Sequence, residues 1–223
     1  MISLNAEMLS GLNYYIFNVL FLVVFSYACY RAPWRLLKVN SALQHLCFGA
    51  SVALVLLWSI KTQIFAGISI HLIGMTALSL VLGWDLAIVC AGIALALITF
   101  ASAGSWTNFA ANGVITIILP VTVSVIISRL VDRKLPKNFF IYLFVCGFFC
   151  AGLSAFLIGM SVSVTLWIND IYPWVKIQRE IITIIVLTIF PEGLLNGILL
   201  SAIMVFYPDW IRSFDAKAYI DDQ

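Results

Sequence analysis

Charge is scarce in this sequence. Only 10% of its 223 residues are Asp, Glu, Lys or Arg, and 63% are hydrophobic. A soluble domain carries about 25% charged residues. Twelve basic and ten acidic side chains cannot clothe that much apolar surface, so a soluble globular enzyme is excluded. Disorder is excluded too, because the apolar content is too high. There is no G-x-x-x-x-G-K-[ST] phosphate-binding loop and no H-E-x-x-H. The chain therefore carries neither an ATPase nor a zinc-protease signature. The five cysteines, Cys29, Cys47, Cys90, Cys146 and Cys150, show no C-x-x-C spacing and read as small buried hydrophobes rather than a disulfide framework. The net charge of +2 marks topology and gives no sign of nucleic acid.

The remaining class is an all-α, polytopic integral membrane protein. Gly11 to Tyr30 carries no charge and is followed by Arg31, Arg35 and Lys38. A signal peptide has its charges before the apolar run, so this segment reads as a retained first helix. Charge-free stretches and their breaks predict seven spans in a single domain over 1–223: 11–30, 39–60, 64–84, 86–102, 111–128, 138–167 and 181–207. The small, polar run Ala101-Ser102-Ala103-Gly104-Ser105 divides the 43 uncharged residues from Leu86 to Ser128. With the N-terminus outside and the C-terminus inside, nine basic residues fall in inner segments and three (Lys61, Lys176, Arg179) in outer ones. That is the bias the positive-inside rule requires.

Polar groups are costly in lipid, so each points to a contact or a function. His45, His71, Asn112, Glu192 and Asn196 fall within predicted spans, as does Gln44. Asp85 falls at a predicted turn with access to water. His45 and His71 lie near opposite ends of neighbouring spans. At 1.5 Å per residue their depths differ by about 10 Å, too far for a shared metal or haem. Glu192 follows Pro191 and precedes Gly193, Asn196 and Gly197. Gly193 and Gly197 form a G-x-x-x-G seam for close helix approach, and Gly74 has the same use one turn after His71. Glu192 then reads as part of a transport path or as a protonated acid tying helices together.

The stretch His71-Leu-Ile-Gly74-Met with Gly83-Trp84, the segment Phe109-Ala-Ala-Asn112-Gly113 and the run Pro191-Glu192-Gly193-Leu-Leu-Asn196-Gly197-Ile resemble motifs of a known family. These are the cobalt/nickel-type substrate-binding membrane subunits of energy-coupling-factor ABC transporters (the CbiM/NikM family), and the sequence looks like a divergent proteobacterial branch. The resemblance implies a seven-helix subunit of a bacterial inner membrane. It implies capture of Co²⁺ or Ni²⁺, a transmembrane coupling protein and cytoplasmic ATPases as partners, and no covalently bound cofactor. Family members bind metal through the N-terminal amine, a second-position histidine and the H-x-x-G histidine. Here Met1 and His71 carry over, with Asn112 as an added candidate, while Ile2 stands where the second-position histidine would be. The alternatives are a non-transporting scaffold or assembly protein with the same fold and a haem- or quinone-binding membrane protein. No residue reads as catalytic.

Overall fold

A computed structural model describes residues 2–4, 11–65, 68–101 and 106–214. Among the described residues, six helices are long and apolar enough to cross a membrane. They are α1 (Gly11–Arg31), α3 (Ser41–Ser59), α4 (Met75–Ala101), α5 (Trp106–Lys134), α6 (Phe139–Ile168) and α7 (Trp174–Phe206). A short helix α2 (Trp34–Val39) joins α1 to α3. Three strands, β1 (Ile2–Leu4), β2 (Thr62–Phe65) and β3 (Ile68–Ile70), form an antiparallel sheet with β3 in the middle. We call that end of the bundle the sheet end. The opposite end, which holds α2 and the Lys134–Asn138 turn, is the basic end.

The expected helix over 64–84 is corrected. Its first part is strand, residues 71–74 have no regular secondary structure, and the helix begins only at Met75. The sequence Ile68-Ser69-Ile70 alternates and is β-branched at both apolar positions, which suits a pleated strand. It also has a partner that a local reading of 64–84 does not see: Ile2 pairs with Ile70 and Leu4 with Ile68.

α4 is broken at Gly83, whose backbone sits at φ 80°, ψ 176°. The two legs run in opposite directions along α3. On the first leg Gly74 lies against Leu57, while Leu82 lines a cavity with Leu43 and Leu46 near the start of α3. On the second leg Leu86 lines the same cavity, and the Cys90 carbonyl lies within reach of the Ser51 hydroxyl further up α3. Every residue from Ile73 to Leu82 is buried. The eight-residue half-helix Met75–Leu82 is thus the centre of the bundle, walled by α3, α5, α6 and α7.

α6 and α7 pack antiparallel, with Gly147 against Leu200 and Gly159 against Ile185. Of the expected seam, a Cβ on Gly193 would stand 3.0 Å from the Phe148 carbonyl oxygen, whereas one on Gly197 would meet Phe148 only at 3.7 Å. Gly193 therefore carries the close approach and Gly197 has room. The inner face of α7 is the stripe Glu192, Asn196, Leu200 and Met204, one residue per turn.

Gly83 occupies a backbone region that only glycine enters without strain of about 1–3 kcal/mol. An added Cβ would also meet the Arg212 side chain at 3.0 Å. Gly83→Ala is expected to lower the melting temperature in detergent. Gly49, exposed in mid-helix with nothing near its Cβ position, is the control. Gly49→Ala should hold or raise stability by up to about 1 kcal/mol. Equal melting curves for the two variants would contradict the assigned break.

Candidate functional site

A helix has four unbonded N–H groups at its start and four unbonded carbonyls at its end. Buried in a bilayer, each unmet group costs several kcal/mol. The half-helix Met75–Leu82 has both ends inside the bundle, so its partners must come from neighbouring side chains.

Glu192 supplies the start. Its Oε2 accepts from Ile73 N–H at 2.9 Å and its Oε1 from Gly74 N–H at 2.8 Å. One turn further along α7, the Asn196 Oδ1 accepts from Ala77 N–H at 2.8 Å. The Asn196 amide donates back to Glu192, to Oε1 at 2.9 Å and to the main-chain oxygen at 2.8 Å. The geometry is that of a tie to the half-helix, made by a carboxylate whose two oxygens both accept rather than by a protonated acid. The carboxylate lies at the positive end of a helix dipole and accepts three N–H donors.

Glu192 thereby fixes the segment that bears His71. Gly74, with φ 70°, turns the non-helical segment 71–74 into the half-helix. The Trp58 indole N–H donates to the Ile73 carbonyl at 3.1 Å. The Trp58 ring stands 6.1 Å from that of His71, centroid to centroid. His71 itself is half-buried, between β3 and the half-helix and outside the six apolar helices. Its Nδ1 lies 3.1 Å from the Leu72 carbonyl. A carbonyl only accepts, so Nδ1 carries the proton and Nε2 is the lone-pair nitrogen. Burial pushes the imidazole down to about 4, with Lys61 acting in the same direction.

The other expected residues fall elsewhere. His45 is exposed on the second turn of α3. It stands thirteen residues before Trp58, about 20 Å along the helix. The two histidines are therefore not brought together, and a shared haem has no geometry here. Asn112 is half-buried in α5, and its carbonyl accepts from the Thr116 hydroxyl at 2.7 Å. The surrounding turn of α5 packs on β1, the strand paired with β3. Met1 lies outside the described residues. Cys47, Cys90, Cys146 and Cys150 are buried and unlinked. Among the described residues no three His, Cys, Asp or Glu side chains come together.

Asp85 does not behave as the expected solvent-facing turn residue. It is buried, and its Oδ1 accepts from Arg212 Nη1 at 2.7 Å. Arg212 and Ser213 also cap the end of the half-helix. Arg212 N–H donates to the Val81 carbonyl at 3.1 Å, Ser213 N–H to Leu80 at 3.3 Å, and Arg212 Nη1 to Leu82 at 3.2 Å. The Ser213 hydroxyl donates to the Leu80 carbonyl at 2.8 Å. It therefore accepts from the buried Tyr142 hydroxyl, 2.6 Å away. One signal pointed to Asp85: it is the sole charged residue between Lys61 and Arg129.

Residues 4–210 match the family described as "Cobalt uptake substrate-specific transmembrane region". The chain belongs to this family of metal-uptake transporter components. It is a multi-pass membrane protein that meets the lipid bilayer along its apolar helices. The fold is similar to two solved structures. One, titled as a transition metal transporter, has 16% identity and a TM-score of 0.74, over 91% of this chain and 92% of that one. The other, titled as a truncated transition metal transporter, has 14% identity and a TM-score of 0.71, over 93% of this chain and 98% of that one. No curated protein matches the sequence.

Two outcomes follow for this site. Glu192→Ala takes the acceptor from three buried N–H donors, those of Ile73, Gly74 and the Asn196 amide, each worth about 1–3 kcal/mol, and should lower the melting temperature sharply. Glu192→Gln keeps one acceptor oxygen and should lie between. Wild-type melting of both variants would mean that the carboxylate is not the cap.

The lowered imidazole also sets a pH dependence. The unfolded His71 takes up a proton near its ordinary 6.5, the folded one only near 4. The unfolded state thus binds more protons between these values, and stability falls as pH drops through that window. His71→Asn should remove this component. The melting temperature of wild type minus that of the variant should become more negative from pH 7.5 to 5, and a constant difference would refute the assignment.

Proposed function

We propose that this chain is the substrate-capture subunit of an energy-coupling-factor-type importer, taking up a divalent transition metal of the cobalt/nickel class. The observation that carries the reading is His71, held at the sheet end on backbone tied to Glu192, with the N-terminal strand alongside: Ile2 pairs with Ile70, the residue before His71. The ion is substrate, with the His71 imidazole as its principal donor. The Met1 amine and the Asn112 side chain are the further candidate donors. Imidazole and amine nitrogens favour Ni²⁺, Co²⁺, Cu²⁺ and Zn²⁺ over harder ions.

The excess of basic residues at the opposite end supports the sheet end facing outward, in a bacterial plasma membrane, with seven passes, N-out and C-in. The chain has no phosphate-binding loop. Uptake would then draw on a transmembrane coupling protein and cytoplasmic ATPases meeting the basic end. One observation favours a second reading, a scaffold with the family fold. The described residues hold no cluster of three metal-ligating side chains.

Calorimetric titration of the purified chain with Ni²⁺ and Co²⁺ separates the two. Wild type should bind, His71→Ala should not, and His45→Ala, altered at an exposed position about 20 Å away, should bind as wild type does. Equal binding by wild type and His71→Ala would remove His71 from the site. A wild type that takes up neither ion, nor Zn²⁺ or Cu²⁺, would favour the scaffold.

A further inference from the structure

The half-helix Met75–Leu82 is held at both ends by one element. Its start is bonded to Glu192 and Asn196 of α7. Its end is bonded to Arg212 and Ser213, in the segment that follows α7. Half-helix, α7 and tail thus form a closed ring of covalent chain and hydrogen bonds. The half-helix is about 12 Å long, fully buried and walled on all sides. A short, packed helix shifts as a unit rather than bending in the middle.

Arg212 occupies the corner of this ring. Its Nη1 bonds the Leu82 carbonyl before the break in α4 and the Asp85 carboxylate after it. Its side chain also packs over Gly83, where an added Cβ would meet the Cδ and Nη1 at 3.0 Å. A single guanidinium therefore sets the angle between the two legs. Half of that side chain remains exposed at the basic end. Its partner Asp85 is buried, so removing the guanidinium leaves a buried carboxylate without its cation and costs stability as well as position.

We propose that Arg212 is a positioning residue for the His71–Gly74 segment. By fixing the end of the half-helix from the basic side, it fixes the height of the backbone that carries His71 on the other. The consequence for metal rests on the reading of His71 as a donor; the mechanical link does not. Coupling between two sites is reciprocal. Metal held at His71 must then tighten the Arg212 and Ser213 amides, just as loss of Arg212 loosens the metal site.

The test is hydrogen exchange by mass spectrometry on the full chain in detergent, without metal and with saturating Ni²⁺. Arg212→Ala should lower the melting temperature and should speed exchange of the Ile73, Gly74 and Ala77 amides, as well as those around Gly83, more than it speeds exchange of the α1 amides. Asp85→Asn, nearly isosteric, should do the same more weakly, and covers the case in which the alanine variant is poorly folded. Arg212→Lys should restore part of the protection. Arg133→Ala, exposed at the basic end on α5, should change nothing. In calorimetry Arg212→Ala should weaken Ni²⁺ binding about fivefold or more, and Ni²⁺ should slow exchange of the wild-type Arg212 and Ser213 amides.

Faster exchange confined to residues 83–86 in both variants would overturn the proposal. So would wild type that binds Ni²⁺ with no change at Arg212 and Ser213. If wild type binds no metal but the exchange of residues 73–77 still answers to Arg212, the positioning role stands and the metal-capture reading falls.

Discussion

The need to satisfy backbone polar groups away from water shapes the centre of this protein. A helix that crosses a bilayer unbroken meets this need with its own i to i+4 bonds. Breaking α4 at Gly83 and starting it at Gly74 leaves an eight-residue piece with two buried ends. The costly residues inside the bundle are explained by those ends. Glu192 and Asn196 accept the N–H groups at one, and Arg212 and Ser213 donate to the carbonyls at the other. The late start at Met75 leaves a non-helical segment, 71–74, inside the fold, and His71 sits on it.

A carboxylate in mid-span invites a transport-path reading, because an ionisable group in lipid is so often functional. Here its oxygens already accept from Ile73, Gly74 and Asn196. A carboxylate committed to three N–H donors is poorly placed to receive an ion as well. Its contribution is to hold the preceding four residues in a shape that no helix would give them. The chemistry at His71 depends on Glu192 through that backbone, in the way that a metal site depends on the groups orienting its ligands.

Most of the helical frame was legible because lipid demands long charge-free runs. The charge-free runs 11–30, 39–60, 138–167 and 181–207 overlap α1, α3, α6 and α7, although α7 begins earlier, at Trp174. His71, Glu192 and Asn196 stood out as polar groups that needed a reason, and the structure ties the backbone after His71 to the other two. The sheet was illegible because strand β3 acquires its meaning from residues 2–4, far away in sequence. An apolar run from 62 to 84 reads equally well as a helix when its partner is not considered. Asp85 reads as a water-facing turn residue and Arg212 as a topology charge, and their pairing is hidden for the same reason. Each looks like an ordinary residue at the edge of a span, and only folding brings them to 2.7 Å.

The two glycines of the expected seam separate on similar grounds. Spacing alone makes Gly193 and Gly197 equivalent, since both lie on the α7 face turned toward α6. The wide, π-helical stretch Tyr142–Phe149 in α6 faces them with Phe148, whose carbonyl approaches Gly193 while its ring lies beside both. The close approach thus falls at Gly193, next to Glu192. Any side chain at 193 would force α6 away from α7 at the level where Glu192 must reach the Ile73 and Gly74 amides. The small residue and the acid beside it therefore serve one end: glycine lets α6 and α7 close, and the closed pair holds the carboxylate against the start of the half-helix.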